Sequence, residues 1–305
     1  MLVDTDTASD DAVALLMALR TPGVDVEAIT VVAGNVPLGQ AVQNALYTVE
    51  LAGVAVPVHA GRAEPRAQPL VTAQDVHGED GMGDVGLRLG GREPARGDAV
   101  DVLVERVRAA PGELTLVTLG PLTNVAEAFE RAPDLPRLLR RAVVMGGTSD
   151  AVGNQTAVAE YNVWADPEAA ALVFASGAPL TMVGWDVSRK YAAFSPREAE
   201  ELRALEPLGR FAVEIQATLD DFARERSSLP GFDLPDPIAM AVALDAGVAT
   251  DVRRLHVAVE LDGTLTRGQT VVDHLGYGGG EPNVDVVVGA SRPRFLELLR
   301  AALAS

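Results

Sequence analysis

The chain has 305 residues, 48% of them hydrophobic, with no cysteine and a formal charge of −18. That length is at the upper end of what one core organises, so residues 1–305 are read as a single domain. The acidity excludes nucleic-acid binding through phosphates, the missing cysteines exclude disulfides, thiolate metal sites and cysteine nucleophiles, and no apolar run approaches the ~20 residues of a membrane span.

No basic-then-apolar leader opens the chain, which points to the cytoplasm, with cations and neutral small molecules as partners. The first element, in MLVDTDTASDDAVALLM, runs as a strand into a helix. It places Asp4 and Asp6 on one strand face and Asp10 and Asp11 at a helix start. An acidic cap explains one or two of these residues. Four together repel, and a cation or shared protons must relieve them. Oxygen ligands with no Cys or His nearby suit Ca²⁺ or Mg²⁺ better than zinc or copper. Only Met1, Leu2 and Val3 precede Asp4, short for a central strand, so the natural start is expected upstream.

Apolar, β-rich runs and helical patterns then alternate. VDVEAITVVAG is followed by a helix over residues 40–53, and ELTLVTLG by one over 122–132. LRRAVVMGG precedes a helix over 166–176, opened by Asp166-Pro167-Glu168 as cap, first-turn proline and acid. APLTMVGWDV precedes one over 196–205. Residues 61–96 are Gly- and Pro-rich with little periodicity, while 281–288 read as a late strand and 292–302 as a closing helix. Near-continuous apolar strands between helices predict an α/β doubly wound fold, a mostly parallel central sheet with helices on both faces. Ligands bind such sheets beyond the carboxyl ends of the strands, which singles out Asp4–Asp11, Gly34-Asn35, Leu119–Asn124, Met145–Asn162 and Leu234-Pro235-Asp236.

Two enzyme classes carry a DxD at the end of a first strand. A haloacid-dehalogenase-like phosphatase would use Asp4 and Asp6 with Mg²⁺, pressing Lys190 and Asp220-Asp221 into service, but leaves Asp10 and Asp11 unexplained. The second class fits more of the chain. Asp4, Asp6, Asp10 and Asp11 match a DxDxxxDD fingerprint, followed in order by AGNVPLGQAVQNAL, VHGEDGMGDV, LVTLGPLTNVAEAF, GNQTAVAEYNVWADPEAA, LPDPIAMAVALD and NVDVVV. Over residues 3–300 the sequence resembles the inosine-uridine-preferring nucleoside hydrolase family.

The resemblance implies Ca²⁺-dependent hydrolysis of the N-glycosidic bond of ribonucleosides. It carries the metal ligands to Asp6, Asp11, the main-chain carbonyl of Leu119 and Asp236, with Asp6 also the general base on the metal-bound water. Asp10, Asn35, Met145, Asn154, Glu160 and Asn162 would hold the ribose, with Asp4 supporting the ligands. Four of them have a plainer reading: Asp10 and Asp236 as helix caps, Asn35 as a turn residue, Met145 as core. Asn44 would brace the metal loop and Asn124 bond backbone. The family also implies a homodimer or homotetramer.

Two departures matter. The family type carries a histidine before the last metal ligand, and this chain has Pro235, which has no titratable group. His77, in the HGxxGL-like loop, or His274 would then serve the leaving base, or Tyr161, Trp164, Trp185, Phe232 or Tyr277 would stack on it. Thr7-Ala8 replaces the usual Pro-Gly, leaving the ligand spacing intact. Loss of the leaving-group machinery would leave a non-catalytic nucleoside or ribose binder, the reading from a different functional class.

Overall fold

The computed structural model describes residues 1–227 and 229–304. In chain order its first half comprises β1 (Leu2–Thr5), α1 (Ser9–Arg20), β2 (Ala28–Val31), α2 (Leu38–Ala52), β3 (Val58–Ala60), α3 (Gln74–His77), α4 (Ala99–Ala109), β4 (Thr115–Thr118), α5 (Thr123–Arg131), α6 (Leu135–Leu138) and β5 (Arg141–Met145). There follow α7 (Tyr161–Ala165), α8 (Pro167–Ala175), β6 (Leu180–Val183), α9 (Trp185–Tyr191), α10 (Pro196–Arg203), α11 (Leu208–Glu214) and α12 (Ala217–Phe222), which runs on as a π-helical turn over Ala223–Ser227. The chain closes with α13 (Pro235–Leu244), β7 (Ala249–Val259), β8 (Thr270–Asp273), β9 (Val284–Ala290) and α14 (Arg292–Leu303).

One sheet of nine strands runs in the order β3-β2-β1-β4-β5-β6-β9-β7-β8. Strands β1 to β6 and β9 pair in parallel, and β7 is antiparallel to both β9 and β8. Alternate side chains feed two cores. Val3, Ile29, Val117, Val143, Val183 and Val287 pack with α1, α2, α11, α13 and α14; Leu2, Ala28, Leu116, Val144, Met182 and Val286 pack with α4, α5 and α8. Burial on both faces is why the strands read as unbroken apolar runs. The helices predicted over 40–53, 122–132, 166–176, 196–205 and 292–302 are all present, with ends moved by at most two residues. The run APLTMVGWDV is cut short: the strand stops at Val183 and Trp185 opens α9, because Gly184 caps a helix there.

Chain order reverses at β1. From it β2 and β3 step one way while β4, β5 and β6 step the other, so the β1/β4 boundary is the switch point where an open α/β sheet forms its ligand crevice. The antiparallel arm β7–β8 was not predicted. It is tied to the loop after β5 by Thr270, whose Oγ1 donates to the Thr148 carbonyl at 2.7 Å and accepts from the Thr148 N–H at 2.9 Å.

Candidate active site at the β1/β4 switch point

The opening acids gather at that boundary. Asp6 follows β1, Asp10 and Asp11 form the first turn of α1, and Asp236 is the second residue of α13, which packs on α1. Asp10, Asp11 and Asp236 each place a carboxylate oxygen within 4.8 Å of the others. Asp6 is coupled to Asp11 and Asp236 by charge, and the three-residue group contains Asp10 in the place the resemblance gives to Asp6.

Local bonds hold each acid in place. Asp6 Oδ2 accepts the Asn35 N–H at 2.6 Å, and Asp6 Oδ1 is buried with no hydrogen-bond partner among the described residues. Gly34 and Gly120 leave room for that carboxylate: a Cβ on either would stand 2.1 Å or 2.6 Å from an Asp6 oxygen. Asp11 accepts from Thr5 Oγ1 at 2.5 Å and from the Ala8 N–H at 2.9 Å, so it also caps its own helix. Asn44 braces the loop between Asp6 and α1 by donating to the carbonyls of Thr7 and Asp80, both at 2.9 Å. Asp4, expected to support the ligands, instead accepts from Thr30 Oγ1 at 2.6 Å and Asn124 Nδ2 at 2.8 Å. Its side chain thus ties β1 to β2 and α5, and only its carbonyl, which accepts the Leu119 N–H at 2.8 Å, supports a candidate ligand.

Burial alone pushes Asp4 up to about 7, against the Thr30 and Asn124 hydrogen bonds, while burial and repulsion from neighbouring acids push Asp10 to about 7, Asp11 to about 6, and Asp6 and Asp236 well above the ordinary range. Partnerless buried oxygens on Asp6 and Asp10 in such a cluster suit a hard divalent cation, whose charge reverses the repulsion.

A cavity of about 340 Å³ opens beside the acids. Of the residues predicted from sequence, Asp10, Asn35, His77, Leu119, Met145, Asn154, Glu160, Asn162 and Asp236 line it, while Asp6 and Asp11 are fully buried and do not. Asn162 Nδ2 donates to the Leu119 carbonyl at 2.7 Å and to Met145 Sδ at 3.2 Å. Glu160 caps α7, accepting from the Asn162 N–H at 3.0 Å and the Gly147 N–H at 2.7 Å. Asn154 Oδ1 accepts the Tyr161 N–H at 2.8 Å. His77 Nδ1 lies 2.9 Å from Ser9 Oγ and 3.9 Å from Asp10, and burial pushes its pKa down to about 4, so the ring is neutral at pH 7.

Comparison with known proteins agrees with this geometry. The family described as inosine-uridine preferring nucleoside hydrolase matches residues 1–297. A pyrimidine-specific ribonucleoside hydrolase of Citrobacter koseri is 37% identical over 307 aligned residues, covering 100% of this chain and 97% of its relative. The chain belongs to the nucleoside hydrolase family. Its structure is similar to a plant nucleoside hydrolase at 32% identity and a TM-score of 0.93, covering 100% of this chain and 98% of that one. It is also similar to a purine-preferring ribonucleoside hydrolase of Gardnerella vaginalis at 32% identity and a TM-score of 0.90, covering 99% and 97%. The chain is thus an enzyme, a nucleoside hydrolase of a metal-dependent family, on the doubly wound fold its neighbours share.

The remaining expectations sort by position. Of the five aromatic candidates, Tyr161 and Trp185 line the hydrolase cavity; Trp164, Phe232 and the largely exposed Tyr277 do not. His274 bonds the Ser149 carbonyl at an exposed position outside the cavity. Lys190 pairs with Asp150 and Asp186, and Asp220 with Arg224 on α12 and its π-helical continuation, so neither serves a phosphatase site; Asp236 reaches the acid cluster instead. Sequence reasoning missed Asp233, Leu219 and Phe222, which also line the cavity. Asp233 had a signal, since it stands three residues before Asp236; Leu219 and Phe222 share a helix face and carry no motif. No helix among the described residues is long and apolar enough to cross a membrane.

Proposed function

We propose that the enzyme hydrolyses the N-glycosidic bond of ribonucleosides, releasing base and ribose, with Ca²⁺ as its metal. The observation that carries this reading is the set of buried acids with unpartnered oxygens at the switch point, opening onto a cavity whose size suits a small ligand. Asp6, Asp11, Asp236 and the Leu119 carbonyl would hold the ion. Bound there, Ca²⁺ supplies positive charge that acidifies water and fixes sugar hydroxyls.

The reaction passes through a cation-like ribosyl state, so the site must hold ribose, direct water at C1′ and let the base depart. Asp6 takes the proton of the attacking water; the two glycines against its carboxylate and the Asn35 N–H fix its orientation. Asp10 accepts from a ribose hydroxyl, and Asn35 and Met145 bound the sugar. Asn162 holds the 2′/3′ side, while Asn154 and Glu160 take the 5′ end, their bonds to the α7 backbone keeping them rigid. Negative charge beside the ribose stabilises the cation-like state. His77 faces the leaving base as a neutral ring.

Cytoplasmic location and assembly as a homodimer or homotetramer, the family's habit, complete the reading. Incubation with inosine, uridine and guanosine, followed by assay of free ribose, tests it. Ribose release is expected; tight nucleoside binding without release would favour the non-catalytic binder.

A further inference from the structure

Asp233 lines the same cavity as Asp10, His77 and Asp236, and is 5% exposed. Its Oδ2 accepts from Trp185 Nε1 at 3.1 Å and from Ser188 Oγ at 2.7 Å, two donors three residues apart on one face of α9. The backbone is fixed on either side: Asp233 bridges Ala193, the Phe194 N–H donates to the Phe232 carbonyl at 2.9 Å, and the Leu234 N–H donates to the Ala192 carbonyl at 3.1 Å. Both side-chain hydrogen bonds to this carboxylate fall on Oδ2, and its own backbone N–H is the remaining donor to the group. One oxygen is therefore anchored twice while the other is left for whatever occupies the cavity.

We propose that Asp233 hydrogen-bonds the departing base and hands it a proton, the task that Pro235 cannot perform. This rests on the proposed nucleoside hydrolysis. As the C1′–N bond breaks, its electron pair stays on the base nitrogen, and the Asp233 carboxyl proton forms an N–H bond there, or at another nitrogen of the ring, leaving Asp233 a carboxylate. Water oxygen bonds C1′ while its proton passes to Asp6. Asp6 has then gained the proton Asp233 has lost, and exchange with solvent resets both.

The surroundings agree. Burial raises the Asp233 carboxyl above the usual range, against the lowering effect of Ser188, Trp185 and the Arg189 guanidinium. The other ionisable side chains lining the cavity are Asp10 from α1, Asp75 and His77 from α3, Glu160 and Tyr161 at the start of α7, and Asp236 from α13. His77 is neutral at pH 7 and has no extra proton to give.

The test compares wild type, Asp233→Asn and Asp233→Glu on inosine, on uridine and on 4-nitrophenyl β-D-ribofuranoside, whose leaving group departs as a stable anion and needs no proton. For Asp233→Asn, nucleoside kcat should fall about 100-fold with the nitrophenyl riboside kcat little changed, and Asp233→Glu should restore part of the loss. Equal losses on both kinds of substrate would reduce Asp233 to a structural prop for Trp185 and overturn the proposal. If the variants fail to fold, wild type decides: nucleoside kcat should fall as pH rises through a limb that the nitrophenyl riboside lacks, and identical profiles would refute the role. A wild type that cleaves neither substrate would instead overturn the hydrolase reading itself.

Discussion

The side-chain amide of Asn162 donates to the Leu119 carbonyl at 2.7 Å, joining a residue proposed to hold the sugar to one proposed to hold the metal. A carbonyl has a second lone pair, so the bond leaves Leu119 able to face a cation while fixing its direction. Asn162→Ala is expected to raise the nucleoside KM and to raise the cation concentration for half-maximal activity about 10-fold. Asn154→Ala, which lacks such a link, should raise KM alone. Steady-state kinetics across a Ca²⁺ titration separate the two; an unchanged cation requirement in Asn162→Ala would break the link.

Asp6→Asn should lower kcat by a factor on the order of 10²–10⁴ while the far-ultraviolet circular dichroism stays that of wild type. Gly34→Ala should mimic it without touching the acid, because the added Cβ would stand 2.1 Å from Asp6 Oδ2 and must displace the carboxylate. A displacement near 1 Å costs about 100-fold. Near-wild-type turnover in either variant counts against Asp6 as the base.

The pH dependence of stability should differ with and without metal. Carboxyls whose folded pKa is raised stabilise the fold below their unfolded value of about 4, and lose that contribution as pH rises through the folded values, about 6 for Asp11 and about 7 for Asp4 and Asp10. His77, pushed down to about 4, works the other way between pH 4 and 6.5, but it is one group against several. Protein treated with chelator should therefore melt at a higher temperature at pH 5.5 than at pH 8. Saturating Ca²⁺ should remove or reverse that trend, since ligands bind as carboxylates. Calorimetry at the two pH values, with and without Ca²⁺, reads this directly.

Asn44 is fully buried and its amide serves two carbonyls, those of Thr7 and Asp80. Asn44→Ala leaves both without that donor, so a destabilisation of about 1–3 kcal/mol is expected. Urea denaturation measures it, and activity should fall with it because Thr7 lies in the loop that positions Asp6 and Asp11.

The parallel sheet and its helices were legible because each strand is apolar on both faces and each helix amphipathic or well capped, as with Asp166-Pro167-Glu168. The opening acids were legible because like charges do not crowd without a reason. The β7–β8 arm was not: VATDVRRLHVAV alternates irregularly, and β7 is largely exposed, so no buried face imprints a period on it. Asp4 shows a different limit. Its spacing placed it with the ligands, yet its side chain turns to Thr30 and Asn124, and residues 26 and 120 positions away in the chain cannot be read from local pattern. Asp233 was passed over because its partners, Trp185 and Ser188, lie on a helix that the sequence reads as strand at its start.

The reciprocal pair between Thr148 and Thr270 makes the outermost arm of the sheet part of the sugar pocket's mounting. Thr148 follows Gly147, whose N–H holds Glu160, so a shift at the β8 edge travels through three residues to the base of α7. Any loop graft or fusion placed at that edge is expected to alter ribose affinity from a distance, whereas the opposite edge, at β3, offers insertion points with no such bond to Glu160.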